Sequence, residues 1–417
     1  MDKILVEGGV RLNGRVDISG SKNAVLPALA ATILTSGRND ICNIPAVRDV
    51  RTMVSLLKEL GASVCSFDGN RLVLDSSRVA NSEAPYELVS TMRASCMVMG
   101  PLLARLGKAR VSLPGGCAIG ARPIDLHLKG FSALGADIEL KEGYVCATAK
   151  KLKGSRIYFD NVTVTGTMNV MMAAVLAEGE TVLENSAMEP EVVFLADILN
   201  RAGAKIEGAG DYNIVIKGVS ALKPLDCVIF PDRIEAGTYM IASAITKGQV
   251  EVASCVPEHL ESLSQKLRDA GVEVEEGETS VLVRGKDLIC PVDIETEVYP
   301  GFATDFQAQF MALMTLAEGS SAVNETVFEN RFMHAAELQR MGADIAIEGH
   351  VAIVKGVQCL SGAPVMATDL RASASLLLAG LAARGQTSIS RVYHIDRGYE
   401  RMENKLSQIG ARVKRLK

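Results

Sequence analysis

One of the nine cysteines is set in surroundings unlike an ordinary cysteine's. Cys117 lies in Pro114-Gly-Gly-Cys-Ala-Ile-Gly-Ala-Arg122-Pro-Ile-Asp-Leu-His127, where three glycines describe a loop and not a core. A buried thiol is an inert small hydrophobe, the fate expected of most of the other eight cysteines. A thiol near cations gives up its proton more readily. Arg122 follows five residues on, and Lys22 is a second candidate to face it. Cys117 therefore reads as a proton donor or a nucleophile. Asp305, in Tyr299-Pro-Gly-Phe-Ala-Thr-Asp305-Phe-Gln-Ala-Gln309, fits two uses equally: proton transfer, or capping the start of a helix. Arg397, in Tyr393-His-Ile-Asp-Arg397-Gly-Tyr-Glu400, is a cation for an anionic ligand or a surface partner of Asp396.

Such residues need elements to hold them, and the chain supplies those elements six times. A helix-like apolar face ends in glycine at Gly61, Gly135, Gly203, Gly271, Gly342 and Gly410, with spacings of 74, 68, 68, 71 and 68 residues. A second glycine recurs upstream at Gly37, Gly107, Gly179, Gly248, Gly319 and Gly385, with offsets of 24, 28, 24, 23, 23 and 25. Both sets sit where a helix should stop on a left-handed residue, which glycine adopts without a Cβ clash. Each unit reads as helix, glycine, strand, helix, glycine, strand, turn, strand. A unit of this size cannot bury two amphipathic helices alone. Six units in 417 residues suggest two domains of three units. The expected domains are 20–229, and 1–19 with 230–417, with Gly218–Asp226 as the linker candidate. The loop with Cys117 and the one with Arg397 are equivalent strand-to-helix connections of units two and six. The longest offset, 28, belongs to the Cys117 unit.

About fourteen residues upstream of each second-set glycine, the first helix of a unit begins. The residues there are Lys22 with Asn23, Arg93, Thr165, Arg233 with Glu235, Asp305, and Arg371. Helix starts carry unpaired N–H groups and the positive end of the dipole, so they hold anions. If these starts face a common cleft, that cleft is strongly cationic on a chain whose net charge is −5.

Bulk composition narrows the field. With 44 basic and 49 acidic side chains, nothing favours nucleic acid or an anionic membrane as partner. No apolar run reaches the length of a membrane helix or a secretory signal. Nine cysteines without a CxxC pair point away from a disulfide framework or zinc site and toward a reducing, cytoplasmic setting. Neither a P-loop nor a GxGxxG strand-to-helix turn is present, which removes P-loop ATP hydrolysis and Rossmann hydride transfer. The five histidines show no paired metal spacing and read as structural or exposed.

At the residues singled out, the chain resembles the UDP-N-acetylglucosamine enolpyruvyl transferases. The matching stretches are Gly20-Ser-Lys22-Asn23-Ala24, Thr91-Met-Arg93-Ala-Ser95, the Cys117 loop through His127, Pro231-Asp-Arg-Ile-Glu235, Thr304-Asp305, Glu329-Asn-Arg-Phe-Met-His334, Thr368-Asp-Leu-Arg-Ala-Ser373 and His394-Ile-Asp-Arg-Gly-Tyr-Glu400. The cysteine loop separates this family from its fold relatives, the shikimate-phosphate enolpyruvyl transferases.

The resemblance implies an α/β (α+β) inside-out barrel fold with two similar lobes of three repeats. It implies transfer of the enolpyruvyl group of phosphoenolpyruvate to the 3-hydroxyl of UDP-N-acetylglucosamine, with release of phosphate and no cofactor. By resemblance, Cys117 protonates the vinyl carbon, can form an adduct with phosphoenolpyruvate, and is the target of fosfomycin. Asp305 accepts the hydroxyl proton. Lys22, Arg122 and Arg397 grip phosphate and carboxylate. Asn23, Arg93, Arg122, Pro123, Ile124, Asp125, Leu126, Asn161, Val162, Thr163, Val164, Asp305 and Val327 hold the nucleotide sugar. Arg371, at its helix start, is a further substrate-binding candidate. The chain departs from the family at Met168 (usually Glu), Met188 (often basic), Phe194 (often Asp), Ala303 (usually Pro) and Asn161 (commonly Lys). Those departures leave room for a sugar-nucleotide-binding paralogue without turnover.

Overall fold

The computed structural model describes residues 2–113 and 124–416. Cys117, Arg122 and Pro123 lie outside the described residues. The rest divides into two compact units, one holding 2–19 and 231–416, the other 20–113 and 124–230.

Helices lie inside each unit and sheets outside. In the second unit the inner helices are Lys22–Ala31, Met99–Leu106 with the 3₁₀ turn Arg93–Val98 before it, and Val164–Ala174. In the first unit they are Arg233–Ile245, Gln307–Met314 with the turn Thr304–Phe306 before it, and Ala372–Ala382. Their sequences, such as Ala-Ser-Ala-Ser-Leu-Leu-Leu-Ala-Gly-Leu-Ala, are apolar or small on every side, and nearly all their residues are buried. A helix without a polar face belongs in a core. The second helix of each unit is amphipathic instead: Arg48–Glu59 buries Val50, Met53, Val54, Leu56 and Leu57 and turns its charges outward. Gly130 lets the helix Asp125–Ala133 sit against Val164–Ala174, since a Cβ there would lie 2.4 Å from Cγ2 of Val170.

Six four-stranded sheets cover these helices among the described residues. Each joins one parallel pair to an antiparallel hairpin-like pair, and strands such as Asn213–Lys217 alternate buried with less buried side chains. The chain start completes two sheets of the first unit. Lys3–Glu7 lies between Gln386–Ser390 and Arg412–Leu416, and Asn13–Asp17 pairs in parallel with Gln249–Ala253.

Eleven of the twelve punctuating glycines have positive φ. The exception is Gly248. Lys247 takes the left-handed turn there at φ 55°, and Gly248 is needed because a Cβ would lie 2.2 Å from the Leu12 carbonyl oxygen. The linker expected at Gly218–Asp226 is not one. Leu222 and Leu225 are buried, and Asp226–Val228 pairs in parallel with Arg38–Cys42, so the segment is packed into the second unit.

At the C-terminal end of the inner helices of the second unit, Arg105 Nη1 donates to the carbonyls of Ile33 (2.9 Å), Thr35 (2.6 Å) and Ser76 (2.9 Å). A cation suits the negative end of the helix dipole. No helix among the described residues is long and apolar enough to cross a membrane.

Candidate active site

In the first unit, Asp305 sits in the turn that starts an inner helix, but its carboxylate does not cap that helix. Arg331 Nη2 donates to Oδ1 at 2.6 Å, and Arg371 Nε donates to Oδ2 at 3.2 Å. The aspartate side chain stays 26% exposed while both arginines are buried, so a ligand can reach the carboxylate between them. Thr304 Oγ1 accepts from Arg331 Nη1 at 2.6 Å and donates to Glu325. Glu325 is buried and also accepts from Thr296 Oγ1 and from the amides of Val327 and Phe328. One carboxylate thereby fixes the turn carrying Asp305 and the loop carrying Val327.

Arg371 precedes the helix Ala372–Ala382, whose start is capped by Asp369: Oδ1 accepts from the amides of Arg371 (2.8 Å) and Ala372 (2.9 Å). Burial opposes the Arg371 charge, yet the neighbouring Asp305 carboxylate and Tyr399 oxygen outweigh it and hold the guanidinium above its ordinary pKa. Its Nη atoms are buried and find no hydrogen-bond partner among the described residues. A buried guanidinium of this kind is suited to an anion. His334, fully buried beside Asp369 and Arg331, is pushed down to about 4, chiefly by burial, and stays neutral near pH 7.

Arg397 lies in the short helix Ile395–Gly398, a helical turn and not an open loop. Asp396 is not its surface partner, because Asp396 pairs with Arg415 (3.0 Å). Glu235, beside Arg233 at the next helix start, is buried, and Lys405 Nζ donates to it at 2.7 Å.

In the second unit, Ser21 caps the helix that begins with Lys22 and Asn23. Lys22 Nζ is held by the buried Asp49 carboxylate at 3.0 Å. Arg93 opens its 3₁₀ turn. Asn161 and Val162 lead into Thr163, whose Oγ1 accepts from the Gly166 amide and caps the helix beginning at Val164. Ile124, Asp125 and Leu126 start the helix that carries His127. His127 is buried. Asn169 fixes its tautomer: Oδ1 accepts from the Gly100 amide, so Nδ2 is the atom that donates to His127 Nδ1 (3.0 Å). The proton is then on Nε2, which donates to Thr165 Oγ1 at 3.2 Å. Burial first, and the Arg93 charge second, push His127 down to about 3.

The helix starts are therefore less cationic than their sequence suggests, because Lys22 and Arg371 each arrive with a carboxylate. Sequence reasoning passed over Arg331, Asp49, Asp369, Glu325 and His127 as functional residues. His127, Arg331 and Asp369 lie inside matched stretches, and the Asp305 charge is a signal that cations must stand near it. Of the eight described cysteines, three are buried (Cys96, Cys227 and Cys255), four are half-buried and Cys65 is exposed, so most are not core residues as expected. Cys42, Cys65 and Cys146 fall on strands, and Cys290 and Cys359 in connections between strands.

The fold of these helix-centred units matches a known class. A family model for EPSP synthase (3-phosphoshikimate 1-carboxyvinyltransferase) matches residues 6–406. The enolpyruvyl transferase NikO from Streptomyces tendae has the same fold at a TM-score of 0.89, with 26% identity, 99% of this chain and 98% of that chain covered. An EPSP synthase from Acinetobacter baumannii shares the fold at a TM-score of 0.76 and 16% identity over the whole of both chains. Closer in sequence are the UDP-N-acetylglucosamine 1-carboxyvinyltransferases of Geobacter metallireducens, 59% identical, and Myxococcus xanthus, 57% identical, each over the whole of both chains. The chain belongs to the EPSP synthase family and, within it, to the UDP-N-acetylglucosamine 1-carboxyvinyltransferases.

Proposed function

We propose that this protein joins phosphoenolpyruvate to the 3-hydroxyl of UDP-N-acetylglucosamine and releases phosphate. The observation that carries the reading is Asp305, reachable between two buried arginines at the start of an inner helix, on a chain 59% identical to an enzyme of that name. Asp305 takes the hydroxyl proton as the sugar oxygen bonds to the central carbon of phosphoenolpyruvate. Cys117 gives a proton to the methylene carbon. In the tetrahedral adduct, the Cys117 thiolate takes a proton back from that carbon, the C–O bond to phosphate breaks, and phosphate leaves with the proton Asp305 had accepted, so the double bond, both residues, atoms and charge are restored. Lys22, Arg122, Arg371 and Arg397 meet the phosphate and carboxylate charges. Asn23, Arg93, Pro123, Ile124, Asp125, Leu126, Asn161, Val162, Thr163, Val164 and Val327 hold the nucleotide sugar. The product belongs to peptidoglycan synthesis, hence to cell-wall biogenesis, cell shape and division, in the cytoplasm. Fosfomycin, an epoxide, alkylates Cys117.

Phosphate release from phosphoenolpyruvate tests this, with UDP-N-acetylglucosamine, with shikimate 3-phosphate, and with neither. Release only with the nucleotide sugar is expected. Release driven by shikimate 3-phosphate, or none at all, overturns the reading. Cys117→Ser should all but abolish turnover with the melting temperature unchanged. Asp305→Ala should lower kcat by about 100-fold or more while the nucleotide sugar still binds; a change confined to KM would make Asp305 a binding residue only.

A further inference from the structure

Behind Asp305 and Arg371 lies a buried polar chain that none of the roles above uses. Thr238, Gln309 and Tyr399 are all buried, and they come from the inner helices Arg233–Ile245 and Gln307–Met314 and from the residue that follows the helix Ile395–Gly398. Its hydrogen bonds have a fixed direction. Thr238 donates its hydroxyl proton to the Ile234 carbonyl at 2.7 Å, so toward Tyr399 it only accepts. The Tyr399 hydroxyl therefore donates to Thr238 Oγ1, at 2.9 Å. Gln309 Nε2 donates to Tyr399 Oη at 3.1 Å and to the Asp305 carbonyl at 2.9 Å. The Tyr399 ring lies under the Arg371 guanidinium, 5.3 Å from its carbon to the ring centroid. Gly398, between Arg397 and Tyr399, packs so closely on the segment before the third inner helix that a Cβ would lie 2.7 Å from Leu370 Cδ1 and 3.6 Å from Arg371 Nη1.

We propose that Tyr399 is a positioning residue of the active site: its one hydroxyl and ring tie the Asp305 turn, the Arg371 guanidinium and the Arg397 segment to the inner helices. The inference rests on the site reading above. A buried hydrogen bond alone adds modestly to the stability of a fold and does not sort between substrates. Tyr399 differs because the groups it orients are the proposed base and two proposed anion-binding cations, and misplacing such groups by about 1 Å costs about 100-fold in rate. A guanidinium also gains from the face of a tyrosine ring when both are out of water.

A second buried tyrosine provides the control. Tyr239 is in the same inner helix as Thr238, and its hydroxyl has no hydrogen-bond partner among the described residues. Steady-state kinetics and melting temperatures are to be measured for Tyr399→Phe, Tyr239→Phe and Arg371→Met in the full chain. Tyr399→Phe should lower kcat/KM for phosphoenolpyruvate by about 10- to 100-fold and leave KM for UDP-N-acetylglucosamine within about twofold. Tyr239→Phe should match the parent. If Arg371→Met is impaired toward phosphoenolpyruvate but Tyr399→Phe behaves like Tyr239→Phe, Tyr399 positions nothing and the proposal falls. If Arg371→Met also leaves phosphoenolpyruvate kinetics intact, the site reading itself is what failed. Should Tyr399→Phe not fold, Thr238→Val removes the acceptor of the same hydroxyl and must show the same selective loss; unchanged kinetics in that variant overturn the proposal.

Discussion

Replacing His127 with glutamine should remove a specific pH dependence from stability. The imidazole is fully buried and hydrogen-bonded at both nitrogens in its neutral form, and its pKa is pushed down to about 3 from an ordinary 6.5. The unfolded chain takes up a proton there as pH falls through 6.5, and the native protein does not. The stabilisation is therefore complete above about pH 6.5 and is lost as pH falls toward 3, by about 1.4 kcal/mol per pH unit. Between pH 7.5 and 5.0 the loss from this one group is about 2 kcal/mol. Urea unfolding at both pH values, for parent and His127→Gln, isolates it. The chain has no tryptophan, so far-UV circular dichroism is the signal. The other depressed histidines, His334 and His394, are present in both proteins and cancel in the difference. The stability gap in favour of the parent should shrink by about 2 kcal/mol at the lower pH. A gap constant to within about 0.5 kcal/mol would show that His127 titrates normally in the fold, and the assigned hydrogen-bond directions would be wrong.

Two further perturbations probe the frame that holds the site. Arg105→Met strips three carbonyls of a charged donor at the C-terminal end of the inner helices and should lower unfolding stability by about 2–4 kcal/mol, with KM values unchanged, since no proposed site residue touches it. Gly130→Ala pushes a methyl to 2.4 Å from Val170 Cγ2 and should cost about 1–3 kcal/mol by denaturant titration; adding Val170→Ala should recover part of the loss, and no recovery would place the strain elsewhere.

The repeat was legible because its punctuation is local. A helix that ends on a positive-φ residue favours glycine at that position whatever packs around it, so Gly61 or Gly385 announces the stop without knowledge of the fold. Gly248 shows the limit: glycine is there for closeness to Leu12, a contact from the far end of the sequence, while Lys247 makes the turn. The Gly218–Asp226 stretch looked like a linker from its glycine, proline and charges, yet Leu222 and Leu225 are buried and Asp226–Val228 closes a sheet with a strand almost two hundred residues earlier. Helix starts could be read by counting back from glycine. The carboxylates that accompany Lys22 and Arg371 could not, because Asp49 with Lys22, and Asp305 with Arg331 and Arg371, are pairs made by packing and carry no spacing rule. The tautomer of His127 likewise depends on an asparagine in a different repeat.

The placement of these cations itself argues for a ligand. Lys22 is the first residue of its helix and Arg371 immediately precedes another, positions where the dipole disfavours positive charge. Arg105, which the dipole favours, stands at the opposite end and is spent on backbone carbonyls. A fold selected only for stability would not put buried cations at helix starts and then recruit buried or half-buried carboxylates to hold them. The arrangement makes sense for an anion ligand: it would meet the helix N–H groups and the cation together, and would reach the Nη atoms of Arg371, which have no hydrogen-bond partner among the described residues. Asp305 then has a double duty. It balances Arg331 and Arg371, and in the role proposed for it the same carboxylate accepts the proton of the sugar hydroxyl.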